Sequence, residues 1–115
     1  MTLSANVTAA LERSAKLADD NIPASARFTM ELRAALNNKD ARAVEGQLRA
    51  LEGNRKLGPV SLNSHYQTKL QQTLADSKGT SEGRRLYGTV ERLVNTKRVT
   101  ISGRFKDFAR GIGRA

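Results

Sequence analysis

The side chains with chemical potential in this chain are mostly cations, and they are unevenly spread. Residues 78–115 carry Lys78, Arg84, Arg85, Arg92, Lys97, Arg98, Arg104, Lys106, Arg110 and Arg114 against Glu82, Glu91 and Asp107, a net charge of +7. Residues 1–77 hold ten cations and eight acids, a net of +2. An asymmetry of this kind creates a field that draws a polyanion or an acidic partner and says nothing by itself about the fold. Thirteen of the 20 cations are Arg, whose planar fork suits phosphates and carboxylates, although a GC-rich coding bias has the same effect. Arg84, Arg85, Arg92, Lys97, Arg98, Arg104, Lys106, Arg110 and Arg114 are therefore the candidate contacts to nucleic acid or to an acidic protein.

Within that set, Lys106, Arg110 and Arg114 recur every four residues, opposite Phe105, Phe108 and Ile112. On a helix this spacing turns the cations outward and the apolar side inward. Neutralising phosphates with such a stripe releases counterions and makes binding sensitive to salt. The same pattern would also suit an anionic membrane surface or a groove on another protein, and the plainer reading is a solvated basic tail. Arg84-Arg85 and Lys97-Arg98 bracket another helix and offer two separated grips. Tyr87 beside them can stack on a base, though half-buried packing is the commoner role for such a residue.

A second group lies at residues 63–72, where Asn63, Ser64, His65, Gln67, Thr68, Lys69, Gln71 and Gln72 include a single fixed charge. Exposed helix faces usually carry Glu and Lys, so an amide-rich face stands out. Asn and Gln can pair bidentately with adenine edges, which makes Asn63, His65, Gln67, Lys69 and Gln71 candidates for reading bases or a partner surface. The resemblance to a helix-turn-helix is weak, because nine residues separate this helix from the one before it and that motif uses three or four. An interface role, or none, suits the face equally.

Catalytic and metal chemistry finds little support. The chain has no cysteine and one histidine, His65, with its acids scattered singly, so no metal site and no cofactor are expected. Phosphate-loop, dinucleotide, zinc-protease and nucleophile-elbow motifs are all missing, and the expectation is a protein that is not an enzyme.

These groups must be positioned by helices, which the apolar spacing marks out. A first helix runs from about Ser4 to Leu17 with Leu3, Val7, Leu11 and Ala15/Ala18 on one face, ending at Asp19-Asp20-Asn21. A second opens near Pro23, with Asn21 or Ser25 as cap and Ala24, Phe28, Leu32 and Ala35/Leu36 inward. Asn38 or Asp40 caps the third, which buries Ala41, Val44, Leu48 and Leu51 and stops at Gly53-Asn54. These three form a neutral part, about 4–52, resembling an antiparallel bundle. After a basic loop, Ser61 caps a fourth helix with Leu62, Tyr66, Leu70 and Leu74 inward. Thr80 or Ser81 caps the fifth, with Leu86, Val90, Leu93 and Val94 inside and Gly88 leaving room for a close approach of a helix or a ligand. Residues 98–101 read as a short extended link or edge strand, and Ser102 caps a last helix ended by Gly111 or Gly113.

The expected architecture is a single all-α domain over 1–115, a bundle of five to six short helices with a strongly basic part at about 78–115. Its core is thin, since 15 of 44 hydrophobic residues are Ala and only five residues are aromatic. No run approaches the roughly 18 apolar residues that span a bilayer, and Met1-Thr2-Leu3-Ser4 has no signal-like character, so an intracellular location is expected. Two functions fit. One is a nucleic-acid-binding protein clamping phosphates with its last third. The other is a helical interaction module docking on an acidic partner: an adaptor, an inhibitor, or a structural subunit of a viral or secretion assembly.

Overall fold

A computed structural model describes residues 4–19, 23–110 and 112, the side chains of 14–19 excepted. It is all-α, with six helices among the described residues: α1 Ala5–Asp19, α2 Ala24–Asn37, α3 Ala41–Gly53, α4 Ser64–Asp76, α5 Ser81–Asn95 and α6 Phe105–Ala109. Two short strands, β1 Val60–Ser61 and β2 Val99–Thr100, accompany them among the described residues. They pair in parallel, Val60 beside Val99 and Ser61 beside Thr100, because α4 and α5 carry the chain back between them. The extended link read at 98–101 is thus the second strand of this pair.

Local chemistry explains most helix starts. Ser4 Oγ accepts the Val7 amide at 3.1 Å, Asp40 accepts from Ala43, and Thr80 Oγ1 accepts from Gly83 at 2.9 Å. Each satisfies an amide that has no partner within its helix. Three expected caps are corrected. Ser61 belongs to β1, and Asn63 caps α4 instead, accepting from the Tyr66 amide. Ser25 lies inside α2, which opens behind Pro23 with no side-chain cap. Ser102 is separated from α6 by a turn, and Arg104 stands at the capping position without a side-chain bond. Leu3, Asp20, Asn21, Gly111, Gly113 and Arg114 lie outside the described residues, as do the side chains of Ala15 and Ala18.

Two helices close with the same device. The Lys39 and Asp40 amides return to Leu36 and Ala35, and the Lys97 and Arg98 amides to Val94 and Leu93. This pattern puts its penultimate residue in the left-handed region, where glycine is unstrained. Here lysine occupies both places, Lys39 at φ 52° and Lys97 at φ 61°.

The core is built on α3 and α5. Val44, Leu48 and Leu51 face Leu86, Val90 and Leu93, all but fully buried, with Leu32, Leu36, Leu70 and Leu74 closing round them. Each such side chain contributes roughly 1.5–3 kcal/mol on burial, which offsets the small number of aromatics. α3 and α5 run parallel: Arg42 meets Glu82 near both starts at 3.7 Å, and Arg92 meets Glu52 further along at 2.9 Å. α1 packs on α2 and makes no comparable packing with α3. Leu11, expected inward, is consequently 58% exposed. Ala24, also expected inward, lies exposed on the opening turn of α2.

Candidate nucleic-acid interface

The nine cations singled out by sequence fall into three groups. Arg84, Arg85, Lys97, Arg104 and Lys106 are exposed and have no carboxylate within ion-pair distance among the described residues. Arg84 only reaches its own turn, donating to the Gly79 carbonyl at 3.4 Å. Arg92, Arg98 and Arg110 are engaged within the protein. Arg114 lies outside the described residues.

The engaged three differ in what they do. Arg92 donates from Nε and Nη2 to both oxygens of Glu52, and also to Thr89 Oγ1 at 3.3 Å. The hydrogen bond from Arg92, helped by its charge and that of Arg49, holds the Glu52 carboxyl below its ordinary range. Arg98 is half-buried and donates from Nη2 to the carbonyls of Leu51, Asn54 and Leu57 at 3.1, 3.1 and 2.7 Å. It therefore closes the carbonyl end of α3 and fixes the loop that leads to β1, a task that turns its charge inward. Arg110 pairs with Asp107 at 2.9 Å.

The amphipathic end segment is shorter than its spacing suggests. α6 ends at Ala109, so Lys106 and Arg110 do not extend a long outward stripe. Its apolar side is already covered: Phe108 and Ile112 are buried, and Phe105 packs edge-on against Tyr87 with ring centres 5.7 Å apart. Tyr87 is thereby held as packing, half-buried against its own chain.

Three amides on the amide-rich face of α4 are engaged within the protein. Asn63 caps the helix, Gln67 Oε1 accepts the Ser102 amide at 2.9 Å, and Gln71 Nε2 donates to the Phe108 carbonyl at 3.1 Å. Gln67 and Gln71, one turn apart, latch residues 102–108 onto α4. His65 and Lys69 lie on the other flank. His65 is exposed and meets the Tyr66 ring edge-on at 4.9 Å. Arg33 of α2, which sequence reasoning passed over, stacks on that same Tyr66 ring at 5.3 Å. No local spacing marks Arg33, because the contact joins two helices distant in sequence. Among the described residues no three His, Asp or Glu side chains gather as metal ligands.

No protein family, curated relative or solved structure matches the chain.

Proposed function

We propose that the protein binds nucleic acid through the phosphate backbone, with little selection among bases. The observation that carries this reading is the surplus of outward cations left after the ion pairs among the described residues are formed. Arg84 and Arg85 stand near the start of α5 and Lys97 just past its end, with Arg104 and Lys106 on the following segment. At about 1.5 Å of rise per residue the span from Arg84 to Lys97 is roughly 20 Å, a length that several successive phosphates of one strand cover. Base reading by α4 is not part of this proposal, since Asn63, Gln67 and Gln71 already have partners within the protein. Lys97 adds weight of another kind: it keeps a cation at a backbone position where glycine would be less strained.

Fluorescence anisotropy of a labelled 20-mer duplex and of single-stranded RNA, titrated at several salt concentrations, tests the proposal. Five phosphate contacts correspond to a log–log slope of about −4.5 for duplex DNA. The triple change Arg84→Gln, Lys97→Gln and Lys106→Gln should reduce that slope by about three. No binding at roughly 50 mM salt and micromolar protein would sink the reading, because even non-specific contacts register there.

A further inference from the structure

A groove opens on the side of the protein formed by α1, α2 and α3, and of the outward cations discussed above Arg85 reaches its lining. α1 and α3 each pack on α2 without packing closely on one another, and the space between them is a groove of about 650 Å³. That volume falls within the roughly 300–1,000 Å³ usual for small-molecule sites. Its floor is α2, contributing Phe28, Glu31 and Ala35, and its walls include Leu11 on one side and Gly46 and Leu57 on the other.

Three features describe what would fill it. First, the lining is mainly apolar, and Leu11 is left 58% exposed there. Second, Gly46 sits inside α3, where glycine costs about 1 kcal/mol relative to alanine, yet a Cβ at this position would meet nothing within 4 Å. The protein's own packing does not require that glycine, whereas an occupant lying against α3 would. Third, the charges are complementary to an anion. Glu31, only 3% exposed, is already satisfied by Arg13 through bonds of 3.3 and 3.1 Å. Glu45 is paired with Arg49. Arg42 and Arg85 also line the groove, and Glu82, 3.7 Å from Arg42 and close enough to feel the charge of both, offsets only one of these two cations.

We propose that the groove binds a monomeric amphipathic acid, a hydrocarbon chain ending in one carboxylate. The chain lies over Leu11, Phe28 and Gly46, and the head meets Arg42 and Arg85. The site shares Arg85 with the nucleic-acid reading, but its apolar floor has no role in phosphate contact, and decanoate binding is measured with no nucleic acid present.

Decanoate, kept below its micelle threshold, is the probe, and amide chemical shifts of the whole protein are the readout. Saturable shifts are expected at Leu11, Phe28, Gly46 and Leu57, with Phe105 and Phe108 unmoved. The double change Arg42→Gln, Arg85→Gln should weaken binding about tenfold or more, the loss expected for hydrogen bonds to a charged group. Gly46→Leu should fill the groove and abolish binding while circular dichroism shows helicity retained. If that variant does not fold, the shift map of the unaltered protein decides alone. The proposal is overturned by an absence of saturable shifts at millimolar decanoate, or by shifts that map elsewhere. Affinity unchanged in the Arg double variant or in folded Gly46→Leu overturns it too, as does binding seen only with phosphatidylglycerol vesicles and not with free decanoate.

Discussion

The guanidinium of Arg92 grips the carboxylate of Glu52 through two hydrogen bonds, 2.9 and 3.2 Å long, across 40 residues of sequence. With Arg42 and Glu82 at the other end, it marks the parallel register of α3 and α5 that their buried Leu and Val faces hold. An Arg that reads in sequence as a phosphate contact is therefore part of the scaffold.

The pH dependence of this pair has a definite sign. Folding lowers the Glu52 pKa, so its contribution is present above the ordinary glutamate value and disappears as pH falls through the depressed one. Arg92→Gln should be slightly less stable than the parent at pH 7, by the small amount typical of exposed ion pairs. Urea unfolding between pH 7 and pH 3 should show that difference shrinking as the solution is acidified. A difference that stays constant across the range would remove Glu52 as its source.

Arg98 should behave as a structural residue. Arg98→Met removes the charged donor shared by three carbonyls, of which those of Leu51 and Asn54 keep the amides of Asn54 and Leu57, and a loss of roughly 1.5–3 kcal/mol is expected in chemical unfolding. Lysine in its place should recover part of this, since its ammonium also presents several donors from one nitrogen but on a stem of different length. Lys106→Gln should do the reverse, leaving stability unchanged and lowering the salt dependence of nucleic-acid binding.

Two glycines of α5 should respond oppositely to alanine. A Cβ on Gly83 would collide with the Ser77 carbonyl, where α4 gives way to α5. Gly83→Ala should therefore cost on the order of 1–3 kcal/mol despite alanine's better helix propensity. On Gly88 a Cβ would meet only Arg92 Nη1 at 3.6 Å, an ordinary contact. Gly88→Ala should raise stability by up to about 1 kcal/mol, and paired melting curves would show the two shifts in opposite directions.

Lys97→Gly offers a trade between fold and binding. Relief of the left-handed strain should stabilise the protein by about 1 kcal/mol. Losing the cation should lower the salt slope of nucleic-acid binding by about one. A variant that is more stable but binds with an unchanged slope would remove Lys97 from the interface.

The latch on α4 makes a separate prediction. Gln71→Leu removes the bond to the Phe108 carbonyl and should lower stability by roughly 0.5–1.5 kcal/mol. Amide exchange should quicken at residues 105–109 more than in α3. If duplex affinity fell sharply with no such loosening, α4 would be reading bases after all.

What could be read from sequence was local. Asp40, Thr80, the stop at Gly53-Asn54 and the inward stripes of α3 and α5 follow from three- and four-residue spacing and from amides that need a nearby acceptor. The all-α class and the excess charge of the last third also follow from composition and period alone. Leu11 misled for the same reason that the others succeeded: its spacing is helical, but whether that face is covered depends on how α1 sits beside α3.

Tertiary structure decided the rest. That Arg92 and Arg98 are spent turns on partners 40 or more residues away, Glu52 and Leu57 among them. The amides of α4 looked available because sequence cannot show that residues 102–108 fold back onto them. The parallel pairing of Val60 with Val99 and the groove above Glu31 arise only when separate helices pack. Periodicity is a property of one segment, so it can assign a side chain to a face. Charge neutralisation, latching and cavities are properties of two or more segments at once, and they exist only after the chain has closed on itself.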